Sequence, residues 1–170
     1  PTCLLDLKGS GKKLLLVTNS EWGYTCAMMR YAFDPYLPPG TTWRDLFDVS
    51  LVRARKPDFF TAQNPIFEVV DESGLLRPVE EGMQPGRAYL GGNARILEAH
   101  LGLSPEEILY VGDHLYSDVH VTKDLLRWRT ALVVRDLINQ LKASKDPNYC
   151  HRVTADDGGI GEQWWPRTRH

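Results

Sequence analysis

The stretch Ile108-Leu109-Tyr110-Val111-Gly112-Asp113-His114-Leu115-Tyr116-Ser117-Asp118 contains an apolar run that ends in a glycine and a carboxylate, and a second carboxylate follows five residues later. The apolar and β-branched residues 108–111 predict a short buried strand. Gly112 allows the backbone to turn sharply. Asp113 would then lie at the carboxyl end of the strand, where open α/β sheets bind their ligands. The stretch therefore predicts an α/β fold with a site at one edge of its sheet.

The two carboxylates of this stretch are candidate metal ligands. Oxygen-rich side chains at one strand tip suit Mg²⁺, a hard cation that takes a few carboxylates and keeps several waters. Asp113 and Asp118 would supply those oxygens. The alternative is structural, because Asp113 can end a turn and Asp118 can lie near a helix N-terminus, where a negative charge is favourable.

The composition is that of one globular domain. The chain has 170 residues, of which 42% are hydrophobic and 25% charged, as in ordinary soluble proteins. A net charge of −2 argues against a general binder of nucleic-acid polymers or membrane surfaces. The three scattered cysteines argue against a disulfide framework or zinc site and predict a reducing, cytoplasmic location. Because the first residue is proline, we expect the chain to begin inside a longer protein or after processing.

Apolar runs and turn signals predict alternating strands and helices. Beyond the opening stretch, we expect strands at residues 12–17, 47–52 and 130–134, and helices at residues 21–33, 93–101, 119–127 and 137–143. The aromatic and methionine residues of the helix at 21–33 predict a core-facing side. This order favours a mainly parallel sheet with helices on both faces.

Three further segments depart from that alternation. Residues 66–70 and 75–79 flank a turn-rich segment, which predicts a β-hairpin inserted at the surface between α/β units. We expect residues 80–92 to be a loop. We place the folded core at residues 1–143, and the loss of pattern over residues 144–170 predicts an irregular or flexible tail.

Small polar residues follow the strand predicted at 12–17. The hydroxyl and amide groups of Thr18-Asn19-Ser20 can donate hydrogen bonds to a phosphate, as can the backbone N–H groups of a following helix. The alternative is a helix N-cap, for which all three residue types are preferred.

A basic residue follows the strand predicted at 47–52. The ammonium group of Lys56 would neutralise a phosphate and an adjacent carboxylate together if it lay near the strand tip. The alternative is a solvated lysine, which is the commoner fate of this residue type.

Three short polar motifs, called sequence marks below, follow three of the predicted strands: Thr18-Asn19-Ser20, then Lys56-Pro57, then Gly112-Asp113 with Asp118. Their residues and their order resemble the second, third and fourth motifs of the haloacid dehalogenase superfamily of phosphotransferases. The wider sequence of about residues 1–143 is similar to the cytosolic purine 5′-nucleotidase family and its 5′-nucleotidase-domain-containing relatives. The segments that carry this resemblance are Gly11-Lys12-Lys13 through Ser20, Arg55-Lys56-Pro57-Asp58-Phe59-Phe60, Tyr89-Leu90-Gly91-Gly92-Asn93, Gly112 through Asp118, and Trp128-Arg129-Thr130.

The resemblance implies a role for each marked residue. Thr18 and Asn19 would bind the phosphoryl group, and Lys56 would act as a catalytic residue that holds this group and the nucleophile in place. Asp113 would ligate Mg²⁺, with Asp118 as a ligand or its support. The expected substrate is a nucleoside monophosphate or another phosphomonoester, and the expected reaction passes through a phospho-aspartyl intermediate.

The sequence departs from the family pattern at its first motif. The Asp-x-Asp-x-Thr that supplies the nucleophile and the acid–base carboxylate is absent, and no Asp-x-Asp occurs in the 170 residues. The region that recognises the base is absent too. We therefore expect 5′-nucleotidase activity in a full-length context and none from this chain alone. The alternative function is a non-catalytic, truncated form that acts as an interaction or regulatory subunit.

The missing motif also bears on stability. In the superfamily the first-motif strand lies between the second-motif and fourth-motif strands, so its loss leaves two strand edges unpaired. Unpaired buried backbone groups are costly. We expect the fold to be incomplete, marginally stable alone, and prone to associate, with a homo-oligomer as one outcome.

Overall fold

The computed structural model describes residues 1–113 and 122–133. The chain divides into two compact units, Pro1–Gly102 and Leu103–His170. Asp118, the helix predicted at residues 137–143 and the tail predicted at residues 144–170 lie outside the described residues.

The first unit alternates short helices and strands. Its helices are α1 (Thr2–Gly9), α2 (Trp22–Phe33), α3 (Trp43–Leu46), α4 (Asp58–Thr61) and α5 (Ala94–Leu101), with a 3₁₀ turn at Asp34–Tyr36. Its strands are β1 (Leu15–Val17), β2 (Val49–Val52), β3 (Ile66–Val69), β4 (Leu76–Pro78) and β5 (Arg87–Gly91). The predicted α/β class is confirmed.

The five strands form one mixed sheet in the order β1-β2-β5-β3-β4. The pairs β1–β2 and β2–β5 are parallel, while β3 runs antiparallel to both β5 and β4. The predicted hairpin is therefore present as β3 and β4. It does not stand apart from the α/β units, because β3 pairs along its length with β5 and extends the main sheet.

The prediction that residues 80–92 form a loop is wrong for its second half. Strand β5 lies between β2 and β3, with Tyr89 paired to Leu51 on one side and to Glu68 on the other. Gly91 is a poor strand former and Ala88 a weak one, and glycines and a proline precede them, so local propensity did not indicate a strand. Pairing with two neighbours overrides that weak propensity.

The caps of α5 agree with the residue types at its two ends. The side chain of Asn93 accepts a hydrogen bond from the backbone N–H of Ile96 at 3.1 Å, and Gly102 ends the helix in the left-handed conformation, with φ of 62°. An Asn N-cap and a Gly C-cap are the favoured residues at these positions. The helix therefore begins and ends where residues 93–102 indicate.

Helices α1 to α3 pack on one face of the sheet around two tryptophans. The rings of Trp22 and Trp43 lie 6.1 Å apart and share a core cluster with Leu46 and Val52. The opposite face of β2 is also buried, because Leu51 is only 1% exposed. Burial on both faces is the arrangement expected for a parallel strand inside an α/β sheet.

Helix α2 divides its aromatic and methionine residues between two sides. Trp22 is buried and Phe33 packs against the core cluster, as predicted. Tyr24, Met28 and Tyr31 are exposed, so their assignment to the core was wrong. They follow one another at i, i+4 and i+7, which places them on one stripe of the helix that faces away from the sheet.

The second unit contains a small parallel sheet. Strand β6 (Leu109–Gly112) pairs with β7 (Arg129–Leu132). A 3₁₀ turn at Pro105–Glu107 precedes β6, and a π-helical turn at Thr122–Leu126 precedes β7. Both strands lie where they were predicted.

The burial of β6 differs from its prediction. Tyr110 is buried, but Leu109 and Val111 are each 58% exposed. The strand therefore buries one face rather than two. Strand β1, also predicted to be buried, is half-buried over all three residues because it forms the edge of the five-stranded sheet.

Candidate phosphate-binding site

The carboxyl ends of three neighbouring strands lie along one edge of the main sheet. Strands β1, β2 and β5 are parallel neighbours, so the loops that follow them come out at the same edge. These loops contain Thr18-Asn19-Ser20, residues 53–57, and Gly91-Gly92-Asn93. Two of the three sequence marks therefore lie at adjacent strand ends.

Thr18 continues the pairing of β1 beyond the end of the strand. Its N–H donates to the carbonyl oxygen of Leu51 at 2.9 Å, and its own carbonyl oxygen accepts from the N–H of Ala54 at 3.0 Å. The Thr18 hydroxyl oxygen accepts a hydrogen bond from the N–H of Ser20 at 3.1 Å. Because a hydroxyl both accepts and donates, Thr18 keeps a proton that it can donate to a ligand oxygen.

The helix N-cap alternative for Thr18-Asn19-Ser20 is wrong. Helix α2 begins at Trp22, and its N-cap residue is Glu21, whose side chain makes no capping bond. The Thr18 hydroxyl instead closes a local turn with Ser20. The polar triplet therefore shapes the loop rather than capping the helix.

Asn19 joins the two loops through its side-chain amide. The N–H of Lys56 donates to Asn19 Oδ1 at 2.6 Å, and Asn19 Nδ2 donates to the carbonyl oxygen of Lys56 at 3.1 Å. The structure thus brings the first two sequence marks into direct contact. The contact joins the side chain of one loop to the backbone of the other.

The loop after β2 has an uncommon backbone conformation. Arg53 and Arg55 have positive φ angles of 46° and 59°, a region that residues with a Cβ atom rarely adopt. Between them Ala54 is fully buried. The N–H of Arg53 donates to the carbonyl oxygen of Ser20 at 2.9 Å, so the triplet after β1 holds this loop at several points. Strained backbone that is held by its surroundings is frequent at functional sites.

Positive charge is concentrated on the same loop. Arg53, Arg55 and Lys56 are three cationic residues within four positions, and Lys56 is half-buried while the arginines are exposed. Arg53 Nε lies 3.7 Å from a carboxylate oxygen of Glu21. The basic character of this edge suits an anionic ligand.

The third loop, Gly91-Gly92-Asn93, is held against the backbone of residues 64 and 65. A Cβ atom at Gly91 would lie 2.7 Å from the carbonyl oxygen of Pro65, and the N–H of Gly92 donates to that oxygen at 2.9 Å. Asn93 Nδ2 donates to the carbonyl oxygen of Asn64 at 3.0 Å. Sequence reasoning did not place this loop at the sheet edge, although a Gly-Gly-Asn before a helical pattern was the signal for a strand-to-helix turn.

Asp113 lies in the second unit, directly after β6, and is exposed. Hard cations such as Mg²⁺ bind carboxylate oxygens, so the side chain of Asp113 has the chemistry of a Mg²⁺ ligand. Within residues 1–113 and 122–133, no group of three or more His, Cys, Asp and Glu side chains is placed to hold a metal ion. Of the two predicted metal ligands, the structure therefore describes only Asp113, because Asp118 lies outside the described residues.

The fold and this edge define an α/β protein with two polar loops joined at the carboxyl ends of parallel strands. The family model described as the 5′ nucleotidase family matches residues 1–156. The chain therefore belongs to the 5′ nucleotidase family, as the resemblance indicated. This match extends beyond residue 143, where the folded core was predicted to end.

Two relatives carry the same family name in their descriptions. The chain is 33% identical over 152 residues to 5′-nucleotidase domain-containing protein 2 of Homo sapiens, and 33% identical over 152 residues to the Rattus norvegicus protein of that name. The match covers 89% of this chain, but 28% and 26% of these relatives. The chain thus spans about a quarter of the length of each.

In the part of the chain that the structure describes, no helix has both the length and the apolar character to cross a bilayer.

Proposed function

We propose that this chain is the phosphate-binding part of a Mg²⁺-dependent 5′-nucleotidase of the haloacid dehalogenase type, which hydrolyses nucleoside monophosphates or related phosphomonoesters. Membership of the 5′ nucleotidase family supports the reaction class. The observation that carries the proposal is the pair of hydrogen bonds between Asn19 and Lys56, because it joins the loops of the two phosphate motifs at one sheet edge.

The roles at the phosphate follow from the chemistry of the side chains. The hydroxyl of Thr18 donates to a phosphoryl oxygen, and Asn19 belongs to the same binding loop. The ammonium of Lys56 compensates the negative charge of the phosphoryl group and of an attacking carboxylate, which lowers the repulsion between them. Thr18 and Lys56 thus bind and orient the group to be transferred.

Mg²⁺ would be held by Asp113, with Asp118 as the second carboxylate of the motif. When bound, the ion would supply positive charge to the phosphoryl oxygens. The exposed carboxylate of Asp113 at the end of β6 supports this assignment.

The chemical step needs groups that the 170 residues do not contain. The proposed mechanism transfers the phosphoryl group to an aspartate while a second aspartate protonates the leaving ribose oxygen, and water then releases phosphate. Since the sequence has no Asp-x-Asp pair, we propose that this chain alone is inactive. A non-catalytic role as an interaction or regulatory subunit is the second candidate, and the same missing pair favours it.

The proposal includes a cytoplasmic setting and self-association. Cys3 and Cys26 are free thiols, which supports a reducing compartment. The exposed apolar side chains of Leu109 and Val111 supply surface that an association would bury.

The test is a titration of the 170-residue chain with inorganic phosphate, followed by NMR of its backbone amides. We expect phosphate to shift the amides of Thr18 and Lys56. Lys56→Met should weaken binding about tenfold or more, because a hydrogen bond to a charged group is worth roughly 1.5–3 kcal/mol. Lys12→Met, which removes an exposed lysine ahead of β1, is the matched control and should bind phosphate normally.

Two outcomes would contradict the proposal. Equal loss of affinity in both lysine variants would mean that phosphate responds only to net charge. Phosphate release from nucleoside monophosphates by the unmodified chain, dependent on Mg²⁺ and lost in Asp113→Asn, would mean that another carboxylate replaces the missing pair.

A further inference from the structure

The side-chain amide of Asn19 binds the backbone of Lys56 through both of its polar ends. Oδ1 accepts from the Lys56 N–H at 2.6 Å, and Nδ2 donates to the Lys56 carbonyl oxygen at 3.1 Å. A backbone N–H can only donate and a carbonyl oxygen can only accept, so these partners determine which end of the amide faces which group. One side chain thus fixes both polar groups of one residue across 37 positions of sequence.

The loop that carries Lys56 requires such contacts. Left-handed angles at Arg53 and Arg55 are unfavourable for side chains with a Cβ atom, and they persist only where the surroundings hold them. Backbone bonds from Thr18 and Ser20 hold residues 53 and 54. Asn19 holds the loop at the next point along the chain, at Lys56 itself.

We propose that Asn19 is a positioning residue, whose amide fixes the backbone of Lys56 and thereby the point from which the lysine side chain reaches a bound phosphate. This inference rests on the proposed role of Lys56. It differs from a direct role of Asn19 as a phosphate ligand, because here the amide acts on the backbone of Lys56, to which its nitrogen and its oxygen are both bonded.

The first measurement is hydrogen exchange of the Lys56 amide in the 170-residue chain without phosphate. Asn19→Ala removes its acceptor, so the exchange of this amide should speed up about tenfold or more. Asn19→Asp keeps an oxygen that accepts from the Lys56 N–H and should retain most of the protection, which guards against general unfolding in the alanine variant. Gln63→Ala removes an exposed amide from the same unit and should leave the exchange unchanged.

The second measurement is a double-mutant cycle with inorganic phosphate as the probe. Asn19→Ala should weaken phosphate binding about three- to tenfold. The double variant Asn19→Ala/Lys56→Met should bind no more weakly than Lys56→Met, because a residue that acts through the lysine has no effect once the lysine is gone.

The outcomes separate this inference from the proposed function. Unchanged exchange of the Lys56 amide in Asn19→Ala would overturn the positioning role, and so would additive losses in the double variant, which would show a direct contact with phosphate. If Lys56→Met alone leaves phosphate affinity unchanged, the proposed function itself fails and the inference fails with it. Non-additive losses together with faster Lys56 exchange would support both.

Discussion

Strands β2, Val-Ser-Leu-Val, and β6, Leu-Tyr-Val-Gly, are both four residues long, and a predicted site residue follows each within four positions. All four residues of β2 are buried, and the strand is paired on both sides, with β1 and β5. Strand β6 pairs with β7 alone among the described residues, and its apolar residues alternate between buried and exposed. The burial of a short apolar strand therefore depends on its neighbours more than on its own sequence.

The same contrast extends to the predicted site residue that follows each strand. Lys56 follows a buried strand and is bonded through its backbone to Asn19. Asp113 follows the half-exposed strand and is itself exposed. The proposed phosphate-binding loops are held by hydrogen bonds within one sheet. The proposed metal ligand stands at the end of a strand that has only one covered face.

The largest effect is expected from making the same leucine-to-alanine substitution in both strands. Leu51 of β2 is 1% exposed and Leu109 of β6 is 58% exposed. We expect Leu51→Ala to lower the free energy of unfolding by about 2–5 kcal/mol, because it removes buried contacts and leaves a cavity. Leu109→Ala should change it by only about 0.5 kcal/mol, as for most surface positions. Urea denaturation of both variants measures the difference.

A large effect of Leu109→Ala would contradict the exposure of β6. If that effect grew with protein concentration, the exposed face of β6 would be covered by a second copy of the chain in solution. Equal and small effects in both variants would contradict the burial of β2 instead.

The second test measures how closely the end of β5 is packed against the backbone of the neighbouring segment, at Pro65. A Cβ atom at Gly91 would lie 2.7 Å from the Pro65 carbonyl oxygen, whereas one at Gly86 would have no atom within 4 Å. Both glycines have positive φ, 78° and 75°, so alanine carries a similar backbone strain at each. We expect Gly91→Ala to cost about 1–3 kcal/mol more than Gly86→Ala, the usual range for overpacking.

Thermal or urea unfolding of these two glycine variants isolates the steric term. Equal losses would mean that only the backbone angle matters and that the end of β5 can move away from Pro65. A larger loss in Gly86→Ala would contradict the close approach of the two segments.

Much of the fold was predictable because its signals are local. The caps of α5 at Asn93 and Gly102 and the β3–β4 hairpin depend on residues a few positions apart, which propensity and turn chemistry describe well. The placement of the loops after β1 and β2 at one sheet edge was predictable for another reason, since neighbouring parallel strands bring their carboxyl ends to the same edge.

The parts that were not predictable depend on distant neighbours. Strand β5 exists because β2 and β3 flank it, although Ala88 and Gly91 disfavour a strand. The bonds from Asn19 to Lys56 depend on the register between β1 and β2, which the sequence pattern does not specify. The exposure of Leu109 depends in the same way on what covers β6. Each of these features follows from pairing across the sheet.

The smallest expected effect concerns charge within the larger sheet. Glu68 of β3 is buried, and its carboxylate accepts hydrogen bonds from Arg77 on β4 and Arg87 on β5. The bonds from Arg77 and then Arg87 hold the pKa of Glu68 below its ordinary value. Since a carboxylate with a lowered folded-state pKa stabilises the fold only while ionised, its contribution is complete above about pH 4.3, the usual value for glutamate, and declines as the pH falls towards the folded-state pKa.

We therefore expect Glu68→Gln to lower the melting temperature at pH 7, because the variant loses the charged hydrogen bonds to the two arginines. We also expect the variant to lose less stability than the unmodified chain between about pH 5 and pH 3, because glutamine has no carboxylate to protonate at position 68. Glu81→Gln, which changes an exposed carboxylate on the neighbouring segment, is the matched control and should keep the normal acid profile. Melting curves from about pH 3 to 7 measure both. Parallel acid profiles for Glu68→Gln and the unmodified chain would show that the arginines on β4 and β5 add no pH-dependent stability, and that the larger sheet differs from β6–β7 through pairing and burial alone.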